Sequence, residues 1–125
     1  MLLKPNMVIP GLKCARQESP ERIAEATIRC MKRYVPAAVP GMVFLSGGQS
    51  AEDATANLNA MNRLGPHPWE VSFSYGRALQ APVLEAWKGE ESNVAAAQKM
   101  LLKRCMLNGL ARDGKYSQEM ETAES

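Results

Sequence analysis

The sequence predicts an α/β fold in which strands and helices alternate along the chain and the strands form a parallel sheet. Three features lead there. Short apolar runs, too short for helices, alternate with longer stretches whose apolar residues recur at helical spacing. The run at 42–45 is apolar on both faces, as strands buried inside a parallel sheet are. Finally, Trp69, Val71, Phe73 and Tyr75 alternate with Glu70, Ser72, Ser74 and Gly76, which gives a strand one bulky face and one small polar face.

The elements follow in order. Leu2, Leu3, Met7, Val8 and Ile9 flank Lys4-Pro5-Asn6, and Pro10-Gly11 closes the segment. Proline is tolerated at the end of a strand rather than in mid-sheet, so Lys4 is expected at the strand's C-terminal edge. A polar loop occupies 11–18. Ser19-Pro20-Glu21 then starts a helix, with serine as cap, proline in the first helical position and an acid in the first turn. Ile23, Ala26, Thr27, Cys30 and Tyr34 are its expected inner stripe, and Val35-Pro36 ends it. After the strand at 42–45 comes Ser46-Gly47-Gly48. Ser50 and Asp53 then start a second helix with Ala54, Leu58 and Met61 inward, broken at Gly65-Pro66. The third strand leads through Gly76-Arg77 into a short helix carrying Ala78, Leu79 and Leu84, interrupted at Pro82 and ended near Gly89. Ser92 is expected to cap a final helix with Val94, Ala97, Leu101, Cys105 and Met106 inward and Gly109 near its end.

A strand with a small inner face and a bulky outer one fits a barrel wall, with Ser72 and Ser74 inward. In a (β/α)8 barrel the active site lies at the C-terminal ends of the strands, and phosphate often sits after the last two. Here the last two strands end in Ser46-Gly47-Gly48 and Ser74-Tyr75-Gly76-Arg77. A complete barrel takes about 250 residues. The chain is therefore expected to be the C-terminal part of an incomplete (β/α)8 TIM barrel: the last three βα units plus a final helix over 1–112, with a flexible tail at 113–125. It enters directly on the apolar run Met1-Leu2-Leu3, with no turn or cap upstream, as is expected of a fragment.

Bulk properties narrow the class. A length of 125 residues suits one domain, and 46% hydrophobic with 22% charged residues is ordinary for a globular protein. A formal net charge of +2 is too mild to argue for nucleic acid. No apolar run approaches the ~18 residues needed to span a bilayer, and no secretory leader is read at the start. Cys14, Cys30 and Cys105 are odd in number and lack metal-ligand spacing, so they are read as small buried apolar residues in a reducing compartment. The expectation is a cytoplasmic protein with no membrane, nucleic-acid, metal or cofactor partner.

The chemistry concentrates at the strand ends. A glycine turn feeding a helix leaves backbone N–H donors at the positive end of the helix dipole, a site for phosphate. Lys4 lies among Leu2, Leu3, Pro5 and Met7; burial there lowers an ammonium's affinity for its proton and leaves an amine able to attack a carbonyl carbon. The alternative is a surface lysine whose stem covers apolar neighbours. A phosphorylated carbonyl substrate explains Lys4 and the glycine turns together. Arg77 is dipole-unfavourable at a helix start, which favours a role as phosphate clamp beside Gly76 and Ser74. His67, between two prolines on the other end, is read as structural. Lys99, Lys103, Arg104 and Arg112 read as a solvated helix face.

Four segments carry a resemblance: LLKPNMVIPG, VPGMVFLSGGQSAEDATANLNAMN, PWEVSFSYGRALQ and LEAWKGEESNVAAAQKMLLKRCMLNGLARDGKY. They resemble the C-terminal part of class I fructose-bisphosphate aldolase, from Leu2 to about Tyr116. The resemblance implies that Lys4 forms the Schiff base with the ketose. It assigns substrate phosphate to Leu45, Ser46, Gly47 and Gly48 and to Ser74, Gly76 and Arg77. It implies reversible cleavage of fructose 1,6-bisphosphate to dihydroxyacetone phosphate and glyceraldehyde 3-phosphate without a metal, in a homotetramer. The earlier strands, with the family's acid/base glutamate, charge-carrying aspartate and lysines, are not in this sequence, nor is the family's terminal tyrosine. Little activity is therefore expected of this chain alone. The competing expectation is a non-catalytic phosphate-binding or interaction module derived from an aldolase.

Overall fold

A computed structural model describes residues 1–123; Glu124 and Ser125, the end of the expected tail, lie outside the described residues. The centre of the molecule is strand β2 (Gly41–Phe44), which pairs in parallel with β1 (Leu2–Leu3) on one side and β3 (Glu70–Phe73) on the other. The register aligns Leu3 with Met42, Met42 with Val71, and Phe44 with Phe73. Met42, Phe44 and Val71 are buried against the helices, while Val43 and Ser72 on the opposite face are half-buried. Burying one side chain the size of Phe44 contributes about 2–3 kcal/mol. That is why the bulky face turns to the helices and the serines turn away.

Helix α1 (Pro20–Tyr34) starts as its sequence dictates, with Ser19 Oγ accepting from Arg22 N at 3.3 Å. Its buried face is Ile23, Ala24, Thr27, Ile28 and Met31. The expected stripe is therefore rotated: Tyr34 is exposed and Cys30 only half-buried. Ala24 and Ile28 complete an i, i+4, i+7 line with Met31 that a stripe drawn through Cys30 and Tyr34 misses. Helix α2 (Ala51–Arg63) is capped by Ser50 and buries Ala54, Leu58 and Met61 as expected, together with Thr55, Asn57 and Asn59. Helix α3 (Arg77–Trp87) runs unbroken through Pro82 and ends at left-handed Lys88. Proline removes a single backbone N–H, and one lost bond six residues into the helix does not stop it.

Helix α4 (Val94–Arg112) departs most from expectation. A 3-10 turn at Glu91–Asn93 precedes it, so Ser92 lies inside that turn rather than capping the helix. The buried face is Ala97, Arg104, Leu107, Asn108 and Ala111. Leu101, Cys105 and Met106 are exposed. Arg104, read as solvated, is among the most buried side chains of the helix. The cause is polar partners: the guanidinium donates through Nη1 to Glu121 Oε2 at 2.6 Å and through Nη2 to Ala51 O at 3.1 Å, and Thr55 Oγ1 donates to Asn108 Oδ1 at 3.0 Å. Satisfied in this way, polar residues line the α2–α4 contact, and the apolar stripe of α4 turns outward.

The described part of the tail is docked rather than loose. Tyr116 is buried, and its N–H donates to Asn59 Oδ1 at 3.0 Å. A 3-10 turn, Gln118–Glu121, then sets Glu121 between Tyr116 Oη, 2.9 Å away, and Arg104. Two anchors hold a segment whose composition is nearly all polar. Cys14, Cys30 and Cys105 are free thiols, but Cys14 and Cys105 are exposed and Cys30 only half-buried, so the burial expected of them is not found. No helix among the described residues is long and apolar enough to cross a membrane.

Candidate functional site

Parallel strands all end on the same edge of their sheet. Lys4 follows β1, Leu45, Ser46, Gly47 and Gly48 follow β2, and Ser74, Gly76 and Arg77 follow β3, so all of them lie on one rim. The pairing continues past the strands: Leu45 N donates to Pro5 O at 3.0 Å and Ser74 N to Phe44 O at 2.9 Å. Asn6 Nδ2 reaches Gly47 O at 3.5 Å, and Val8 N donates to buried Thr27 Oγ1 at 2.9 Å. The segment that carries Lys4 is thus tied to the glycine turn on one side and to α1 on the other.

Lys4 itself is exposed. Of the apolar residues expected to bury it, Met7 is buried, Leu3 and Pro5 are half-buried and Leu2 is exposed. The physical reason is that β1 is an edge strand, with β2 on one side and, among the described residues, no strand on the other. The burial expected to activate the amine is not found in this chain.

The glycine turn closes through Gln49 N donating to Ser46 O at 3.2 Å. Gly48 takes a left-handed φ of +79°, and a Cβ there would stand 3.3 Å from Ile9 Cδ1. Both facts favour glycine. The helix it feeds is a poor anion site, however. Ser50 Oγ accepts from Asp53 N at 3.0 Å, and Glu52 and Asp53 occupy the first turn of α2. A capped, acidic helix start repels phosphate.

The open helix mouth belongs to α3. Gly76 caps it with no side-chain hydrogen bond, and its first turn has no acid. Leu79 N and Gln80 N donate to Gly76 O, and Ala78 N donates to Ser46 Oγ at 3.3 Å. Among the described residues, Arg77 N is then the first-turn donor left for a ligand. Ser46, only 4% exposed, joins the two turns, since its oxygen holds α3 while its own proton stays available. Ser74 is half-buried, and Gly76 and Arg77 are exposed at the mouth. The rim therefore presents an amine, a serine hydroxyl, a helix dipole and a guanidinium, a set that suits an anion tethered to a carbonyl.

Tyr75 escaped the sequence reading as anything more than a bulky strand residue. Its hydroxyl donates to Ala54 O at 2.8 Å, and burial pushes that hydroxyl's ionisation well above the usual tyrosine range. A tyrosine, whose hydroxyl needs a partner when buried, inside the Ser-Tyr-Gly-Arg step was the available signal. His67 Nε2 lies 2.7 Å from Met61 O, at the opposite end of the sheet. Among the described residues no group of three or more His, Cys, Asp or Glu side chains is placed to hold a metal ion.

The sequence profile of the family described as fructose-bisphosphate aldolase class-I matches residues 1–125. Fructose-bisphosphate aldolase 1 of Toxoplasma gondii is 59% identical over 115 residues, 92% of this chain and 32% of that protein. Fructose-bisphosphate aldolase C of Rattus norvegicus is 58% identical over 116 residues, with the same coverage of both. A solved structure of the Plasmodium falciparum fructose-bisphosphate aldolase, in complex with TRAP and a small-molecule inhibitor, superposes with a TM-score of 0.89 at 54% identity. It covers 93% of this chain and 33% of that one. The chain thus spans about a third of the length of these relatives, and it belongs to the fructose-bisphosphate aldolase class-I family.

Proposed function

We propose that this chain carries the amine and the phosphate grip of a class I aldolase, in which Lys4 forms the Schiff base with a phosphorylated ketose. The sheet is then the last part of a (β/α)8 barrel, and the whole enzyme is a cytoplasmic homotetramer acting on fructose 1,6-bisphosphate. The observation that carries the reading is the shared rim: Lys4 stands on the same edge as the open mouth of α3 and the Ser46 turn.

In the reaction, Lys4 Nζ adds to the ketone carbon, water leaves, and the resulting iminium accepts the electron pair of the breaking carbon–carbon bond. Meanwhile Ser46, Gly47, Gly48, Ser74, Gly76 and Arg77 hold the phosphate, which keeps the ketone in register with the amine. Proton transfer at the substrate hydroxyl requires an acid/base partner, and losing one typically costs about 10²–10⁴ in rate. The isolated chain is accordingly expected to show little turnover.

A second reading is favoured by the exposure of Lys4 in this chain: a phosphate-binding module that forms no covalent adduct. Incubation with fructose 1,6-bisphosphate and borohydride, followed by mass spectrometry, separates the two. Added mass at Lys4 supports the Schiff-base reading. Phosphate binding without an adduct supports the module, and robust turnover by the chain alone refutes the expected inactivity.

A further inference from the structure

The two turns proposed to grip phosphate leave different strands and have no covalent reason to hold a fixed spacing. Beyond the sheet ladder, which ends with Ser74 N donating to Phe44 O, two hydrogen bonds link them. At the front, Ala78 N donates to Ser46 Oγ. At the back, Tyr75 Oη donates to Ala54 O, a carbonyl in the first turn of the helix that the glycine turn feeds. Tyr75 lies one residue before Gly76, the cap of α3, and its ring is buried. It also packs beside Phe73, with ring centroids 5.5 Å apart. A buried phenol of this kind holds its ring by apolar contact and its direction by the hydroxyl.

From this we infer that Tyr75 is a positioning residue for the anion site: its hydroxyl sets the mouth of α3 against the start of α2, so that the α3 donors and Ser46 meet one anion together. The inference rests on the phosphate-site reading above. Tyr75 touches no ligand. It acts by removing the freedom of α3 to tilt from α2, an entropy cost that binding otherwise bears. Losing the hydroxyl leaves the ring and its packing, and Ala54 O keeps its place in the helix.

Titration of the full chain with inorganic phosphate, followed through the amide resonances of Gly76, Arg77 and Ala78, tests this in three proteins. Tyr75→Phe is expected to raise the phosphate dissociation constant about five-fold, roughly the worth of one hydrogen bond, and to speed hydrogen exchange at Ala78 and Leu79. Trp69→Phe removes the indole N–H that donates to Pro36 O at the start of β3, the end of the sheet away from the rim; it is expected to lower stability without changing phosphate affinity. Equal affinity in wild type and Tyr75→Phe overturns the inference and leaves the site reading standing. An equal loss in both variants also overturns it, since general loosening then accounts for the effect. No saturable binding by wild type overturns the site reading, and the inference with it.

Discussion

Arg104 on α4 and Glu121 in the tail form a buried ion pair, with Nη1 2.6 Å from Oε2 and the side chains 3% and 9% exposed. The guanidinium also donates through Nη2 to Ala51 O at 3.1 Å and to Thr55 Oγ1, and Lys103 Nζ donates to the Glu121 carbonyl. One arginine therefore ties the tail to the first turn of α2, the helix fed by the glycine turn.

Removing one partner of such a pair leaves an uncompensated charge, so Glu121→Ala is expected to cost about 3–5 kcal/mol. The double change Arg104→Met with Glu121→Leu is expected to recover most of that loss. Urea unfolding of the single and double variants checks it. Additive losses would show that the pair does not act as a unit.

The role proposed for Lys4 is chemical rather than structural. Because it is exposed, Lys4→Met is expected to change stability by less than about 0.5 kcal/mol. The same change is expected to abolish the borohydride-trapped adduct and to leave phosphate binding in place. Mass spectrometry and thermal unfolding of the two proteins give the comparison, and an adduct persisting in the variant rejects Lys4 as the nucleophile.

The rim glycines are expected to differ. Gly48→Ala places a side chain at φ +79° and 3.3 Å from Ile9 Cδ1, and is expected to cost about 1–2 kcal/mol. At Gly76, φ is −93° and no atom lies within 4 Å of an added Cβ, so Gly76→Ala is expected to stay within about 0.5 kcal/mol. Denaturation midpoints decide. Equal losses would contradict the conformational difference between the two turns.

Alkali is expected to unfold the protein progressively. Burial raises the ionisation of Tyr75, and burial followed by the Glu121 hydrogen bond raises that of Tyr116. Both phenols keep their protons in the folded state above the pH at which unfolded tyrosine loses them. Their stabilisation is therefore complete below about pH 10 and declines as pH rises beyond it, for Tyr75 by at most about 1.4 kcal/mol per pH unit. Unfolding free energies measured from pH 8 to 11 test the slope, which Tyr75→Phe is expected to flatten.

Much of this architecture is written in local patterns. Ser19-Pro20 and Ser50 with Asp53 cap their helices through bonds that span three residues, and the alternation from Trp69 to Gly76 states which face of β3 turns inward. The rim followed from strands being parallel, and the motif residues fell on it without knowledge of any contact. What periodicity misread was α4. A count of apolar residues chose Leu101, Cys105 and Met106, whereas Arg104 and Asn108 are the residues that go in.

Short-range chemistry, then, was enough to specify the caps of α1 and α2, the strand faces and the edge on which Lys4, Ser46 and Arg77 stand, because each depends on neighbours a few residues apart. Long-range pairing settled the rest. Arg104 is buried because Thr55 and Glu121, 49 and 17 residues away in the chain, supply its partners. The tail docks through Asn59 and Arg104 despite its polar composition, and Lys4 stays exposed because, among the described residues, no strand lies on the far side of β1. A buried charge or an edge position is a property of what surrounds a residue in space, and the residue's own stretch of chain carries no record of it.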